Sequence, residues 1–260
     1  MRAWAVAALD LVFPARCPAC AATLAAGRRD PLCGACWEAI PRIVPPTCER
    51  CGLPFFTLTL GGSDRLPETP QRSERHGESV ALVDVGQHCG ACSAAPPAFR
   101  WARAAAVYAG PLREALQRLK FGGRAALARP LAALVLEQCA GAVPAGAVLV
   151  PVPLARARER ERGFNQAALI AERVARGLGA RLAPRWLART RATAPQTDLD
   201  AAARRANVRG AFIASPAAAG ADVVLVDDVL TTGATAGECA RALLAAGAQS
   251  VGVLTVARVL

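Results

Sequence analysis

From residue 98 onward the chain alternates short apolar runs with longer amphipathic ones. Ala104–Tyr108, Val148–Val152, Val223–Val226 and Val251–Ala257 are compact runs dominated by Val, Ala and Leu. Runs of this length predict strands buried on both faces. Between them, Leu112–Lys120, Arg124–Ala140, Gln166–Gly177 and Ala236–Ala246 carry few breakers and space their apolar residues as helices do. Strands alternating with helices predict an α/β fold, a mainly parallel sheet with helices on both faces. Before residue 97 the periodicity is lost, and Pro96-Pro97 marks the expected boundary. The chain thus divides into a region 1–96 and a domain 97–260 of ordinary single-domain size. The domain shows no internal repeat.

Cysteines change the picture for the first region. Eight of the ten lie before residue 93, in four Cys-x-x-Cys pairs: Cys17/Cys20, Cys33/Cys36, Cys48/Cys51 and Cys89/Cys92. A two-residue gap lets both thiolates of a pair point at one ion, and two pairs complete a tetrahedral zinc site. The predicted result is a double zinc ribbon whose zinc is structural, folding a region with a poor core. The first two pairs have a spacing close to that of a ribbon. The last two are separated by a long polar insert, and 55–88 is expected to be flexible. Sequential and interleaved pairing of the knuckles both fit. His76 and His88 read as surface residues, and Cys139 and Cys239 as small core residues.

The formal net charge is +11, and Lys120 is the only lysine. Arginine suits phosphate and nucleic acid, but a scattered surface bias explains the balance equally well. Ala3–Leu9 is apolar yet short and broken by Asp10, which argues against a secretory signal. The apolar segment 139–155 contains Pro144, Pro151 and Pro153, which exclude a regular spanning helix. A cytoplasmic protein without membrane insertion is expected.

The sharpest motif is Val223-Val-Leu-Val-Asp-Asp-Val-Leu-Thr-Thr-Gly-Ala-Thr235. A buried strand delivers Asp227 and Asp228 to its C-terminal end, the edge where open α/β sheets bind ligands. Two adjacent carboxylates repel phosphate but accept hydrogen bonds from vicinal hydroxyls. Next come Thr231, Thr232, Gly233, Ala234 and Thr235. Gly233 allows positive φ and close approach, and hydroxyls, N–H groups and the following helix N-terminus favour an anion. Diol acceptors beside a phosphate nest describe a 5-phosphoribose site. A plain helix cap needs one such residue, not two acids and a Thr-rich loop.

A second edge follows Val148–Val152, where Arg156, Arg158, Arg160 and Arg162 sit in an Arg/Glu run read as a loop. Such a loop suits a diphosphate, although a solvated Arg/Glu helix turn with local ion pairs has the same composition. Further on, Arg191–Gln196 leads through Leu199, Arg204, Asn207 and Gly210 to Phe212. That polar connection has the length of a mobile flap or of an ordinary surface loop.

Together these pieces resemble the ComF family, bacterial competence-associated proteins with a phosphoribosyltransferase domain. The resemblance rests on Leu9–Cys20, Tyr108–Arg113 with Leu119-Lys-Phe121, Val150–Leu154 with Arg162-Gly-Phe-Asn-Gln166, Gln196–Phe212 and Val226–Thr235. It spans nearly the whole chain except 55–88, and the long insert between Cys51 and Cys89 departs from the family pattern. The resemblance implies a type I phosphoribosyltransferase-like fold behind a zinc-ribbon region. It also implies binding of phosphoribosyl pyrophosphate with Mg²⁺, and a role with incoming single-stranded DNA beside a DNA-translocating helicase. Asp227 and Asp228 are then the candidate catalytic pair. Thr231–Thr235, Arg158, Arg160, Arg162, Gln166, Gln196 and Arg204 form the candidate ligand-binding set. Two other functions fit the residues: a metabolic phosphoribosyltransferase acting on a base or amine, and a sensor that binds the sugar phosphate without turnover.

Overall fold

The computed structural model describes residues 15–24, 31–55, 88–191 and 201–260. Its centre is a five-stranded, wholly parallel sheet: β1 (Trp101–Val107), β7 (Ser250–Arg258), β6 (Asp222–Leu230), β2 (Val148–Pro151) and β3 (Arg181–Leu182), in that order. Alternate residues of each strand enter opposite cores, as the two-residue strand period requires. On one face Leu149, Val224, Val226, Leu254 and Val256 meet three helices. These are α3 (Gly110–Phe121), α4 (Ala128–Cys139) and α6 (Gln166–Leu178). On the other face Val150, Val223, Leu225, Val251 and Val253 pack with Cys239, Ala240 and Leu243 of α8 (Ala234–Ala245). Trp186, Leu187 and Phe212 complete that core. They flank or belong to a separate antiparallel pair, β4 (Leu187–Arg189) and β5 (Phe212–Ala214).

The helices begin where their sequences allow. Pro130 is tolerated only in a first turn, so the run expected over Arg124–Ala140 splits into a 3₁₀ turn, Ala125–Leu127, and α4. Asn165 caps α6: its side chain accepts from Ala167 N at 2.9 Å and donates to Val152 O at 3.0 Å, fixing the helix to the end of β2. Helix α3 stops at Gly122, where an added Cβ would lie 2.8 Å from Arg118 O. That stop places Lys120 in the last turn, the favourable end for a cation.

The Arg/Glu run is not a loop. It forms α5 (Arg156–Arg162), closed by Gly163 in the left-handed conformation. Arg, Ala and Glu are strong helix formers, and a short run of them after a strand winds up. The expected flap is likewise partly helical, with α7 at Ala201–Val208.

The cysteine region covers the outer edge of β1. Ile43 N donates to Ala105 O, Val107 N to Pro41 O and Ala102 N to Arg50 O. These bonds satisfy an otherwise open strand edge. Gly52, at φ +70, lies so close that a Cβ would stand 2.5 Å from Ala102 O. No helix among the described residues is long and apolar enough to cross a membrane.

Candidate phosphoribose site and cysteine clusters

The site grows from unequal strand lengths. Pairing of β2 with β6 ends at Pro151 and Val226, whereas β6 and β7 stay paired to Leu230 and Arg258. The last part of β6 therefore overhangs the end of β2. Asp227 and Asp228 lie on this overhang, inside the strand rather than just past it. Neighbouring strand residues face opposite ways. Asp227, beside Thr255 in register, lines a cavity of about 260 Å³. Thr231, Gly233, Ala234 and Thr235 line the same cavity. Gly233 adopts φ +74 and caps α8, so the N-terminus of that helix opens onto the cavity. Thr232 steadies the turn by accepting from Ala234 N at 3.4 Å.

Burial and the neighbouring charge of Asp228 push the Asp227 carboxyl up to about 8. The Asp228 N–H donates to Asp227 Oδ1 at 2.8 Å and only partly offsets them. Asp228, 4% exposed, meets the Lys120 ammonium, with Nζ 2.7 Å from Oδ2. At that distance the contact is charge-assisted. Burial depresses the Lys120 pKa, but the two carboxylates outweigh it and raise it, keeping the ammonium charged.

Lys120 also lines a second cavity, of about 150 Å³, with Phe121, Gly123, Arg158, Glu161 and Arg162. Arg158 and Arg162 are one helical turn apart and share a face of α5. Arg162 donates to Gln166 Oε1 and stacks 5.7 Å from the centre of the Phe121 ring. Arg160, rotated by two residues, is exposed and lines neither cavity. Gln166 is buried at the start of α6, where it orients Arg162. Arg204 lies on α7 and its side chain is not described; Gln196 lies outside the described residues. Sequence reasoning missed Lys120, Tyr108 and Thr255 as cavity residues. The available signal was the singularity of Lys120 in an arginine-rich chain.

The eight cysteines gather into two clusters, Cys17/Cys20/Cys33/Cys36 and Cys48/Cys51/Cys89/Cys92, with all sulfurs of each within 4.8 Å of one another. The knuckles pair sequentially, not interleaved. Short helices α1 (Gly34–Glu38) and α2 (Gly90–Ala94) carry the second knuckle of each. A zinc ion about 2.3 Å from four tetrahedral sulfurs requires edges of about 3.8 Å. The Cys20–Cys33 and Cys51–Cys89 sulfurs are 3.6 Å apart, which fits. N–H groups point at the sulfurs, as at thiolates: Cys33 N and Cys36 N in the first cluster, Cys51 N and Cys89 N in the second. Burial opposes ionisation of Cys17 and Cys48, but backbone N–H groups, led by Cys33 at Cys17 and by Cys51 and Cys89 at Cys48, outweigh it and lower both to about 6. Arg258, from the end of β7, donates to the Cys51 carbonyl and to Cys51 Sγ. It ties the second cluster to the sheet.

Fold and site together define a phosphoribosyltransferase-type α/β protein with a cysteine-rich zinc-ribbon region. The family description of a double zinc ribbon domain matches residues 8–93, and that of a phosphoribosyl transferase domain matches residues 165–260. The chain is 32% identical to the DNA utilization protein YhgH of Salmonella typhi over 255 residues, covering 96% of this chain and all of that protein. It is 31% identical to Competence protein F of Haemophilus influenzae over 185 residues, 68% of this chain and 81% of that one. The chain belongs to the ComF family. A solved glutamine phosphoribosylpyrophosphate amidotransferase from B. subtilis aligns over 54% of this chain and 30% of its own, at 21% identity and a TM-score of 0.38.

Proposed function

We propose that this protein binds phosphoribosyl pyrophosphate with Mg²⁺ and acts in the cytoplasm on DNA taken up in natural transformation. The observation that carries the ligand reading is the pair of cavities that meet at Lys120. One is lined by an acid and a Thr/Gly loop, the other by two arginines. In this reading the Thr231–Thr235 loop and the N-terminus of α8 hold the 5-phosphate. Asp227 and Asp228 accept from the ribose hydroxyls. Arg158 and Arg162 take the diphosphate, with Gln166 steadying Arg162.

Magnesium suits the donor set. It prefers one or two carboxylates plus ligand phosphates and water, and Asp227 is the acid that lines the cavity. When bound, it would neutralise charge on the diphosphate.

The DNA role draws on the names of the relatives, DNA utilization protein and Competence protein F, and on the net charge of +11. Fluorescence anisotropy with labelled single-stranded DNA tests it. Binding that weakens steeply with salt is expected; no binding at low salt would contradict direct DNA contact. The same site would serve a metabolic phosphoribosyltransferase that displaces diphosphate from the anomeric carbon. Pyrophosphate release with one member of a panel of bases and amines would favour that reading.

A further inference from the structure

Lys120 stands where the two cavities meet. It is the one lysine among 31 Lys and Arg residues, set in the last turn of α3 by the stop at Gly122. Its side chain is 23% exposed, against 5% for Asp228. A compact ammonium on a flexible stem can pivot between two partners, whereas a guanidinium fork is committed to one plane. The geometry at Asp228 invites such an exchange. Oδ2 is buried, and among the described residues its partner is the Lys120 ammonium at 2.7 Å. A carboxylate oxygen accepts from a hydroxyl as well as from an ammonium, so a sugar hydroxyl can take the place the ammonium leaves.

We propose that Lys120 is a specificity-determining positioning residue, which exchanges Asp228 for the diphosphate of the ligand. It thereby makes acceptance of the ribose hydroxyls depend on a phosphate group at the anomeric position. The inference rests on the phosphoribosyl reading of the site. In the free protein the ammonium covers the Asp228 oxygen that a ribose hydroxyl needs. A ligand spanning both cavities offers the ammonium a second anion beside Arg158 and Arg162, and Asp228 is released to the sugar. A ligand that fills only the first cavity offers nothing in exchange. Phosphoribosyl pyrophosphate belongs to the first kind and ribose 5-phosphate to the second.

The experiment compares these two probes by titration calorimetry with Mg²⁺ on the full chain, as wild type, K120R and K120M. The quantity read is the ratio of their affinities, which a merely structural role of Lys120 would not move. Wild type is expected to favour phosphoribosyl pyrophosphate. In K120M that preference falls roughly 10- to 100-fold, the worth of a charged hydrogen bond, while ribose 5-phosphate binds as well as before or better. K120R, with the charge retained, recovers part of the preference. K120M leaves Asp228 buried without its partner, which can unfold the chain. The double variant K120M/D228N leaves no buried charge alone; relative to K120M it lacks the same hydroxyl acceptor for both ligands, so the ratio still reports on Lys120. An unchanged ratio in K120M and in the double variant would overturn the inference while leaving the site reading intact. Wild type binding neither probe would overturn both.

Discussion

Asp227 shows how far a single residue can be read from sequence. Its place at a strand end beside a Thr/Gly loop was legible in Val223–Thr235. Its ionisation was not, because that depends on burial and on the charge of Asp228 beside it. With its pKa raised to about 8, Asp227 is largely protonated at pH 7, whereas an unfolded aspartate loses its proton near about 4. The folded state thus holds more protons than the unfolded one across this interval. Asp227 therefore contributes stability at low pH that is lost as pH rises toward 8. Ligand hydroxyls favour the ionised carboxylate, so binding should release a proton. Above pH 7 ligand phosphates are already ionised, and affinity for phosphoribosyl pyrophosphate should rise from pH 7 to 9. Calorimetry in two buffers of different ionisation enthalpy reads the released proton directly. A heat independent of buffer at pH 7 would contradict this account of Asp227. Lys120 escaped the sequence reading for a related reason: its partner lies more than a hundred positions away, and only packing of α3 on the sheet brings them together.

At the scale of elements, the sequence disclosed those with a strong period. The four central strands and the helices that cover them were visible in apolar spacing, with ends displaced by a few residues. The pieces it did not disclose are β3, β4 and β5, of two or three residues each. Segments so short carry no period. The Arg/Glu run had composition but no apolar stripe, so a phosphate-binding loop and a solvated helix turn read alike. As helix α5 it sorts its arginines by face, which composition alone does not. Arg158→Ala and Arg162→Ala should each weaken phosphoribosyl pyrophosphate binding by roughly tenfold or more, the usual worth of a charge-assisted contact. Arg160→Ala should stay within about twofold, as a solvated charge does. Equal losses at all three positions would mean that the run acts as a diffuse basic patch.

Across the whole molecule, the two halves are joined rather than strung together. The cysteine region continues the sheet at β1, and Arg258 reaches from β7 to Cys51. The next residue, Val259, lines the first cavity and donates through its N–H to Leu230 O. The four knuckles were plain in the sequence, but their pairing was not, since spacing alone permits either arrangement. With two closed clusters, the purified chain should carry about two zinc ions, and Cys48→Ser about one. Metal analysis with thermal denaturation checks this. The Cys48→Ser protein should also melt earlier, because an emptied cluster forfeits folding energy. Unchanged zinc content in that variant would contradict a site built from Cys48.

The central claim is that Asp227, the Thr231–Thr235 loop and the α5 arginines form one phosphoribosyl site. Its most direct test is titration calorimetry of phosphoribosyl pyrophosphate with Mg²⁺ into the wild-type chain and Asp227→Asn. The account predicts saturable one-site binding by the wild type, weakened at least about tenfold in the variant by loss of a charged acceptor. Absence of saturable binding in the wild type, or equal affinity in the two proteins, would contradict it.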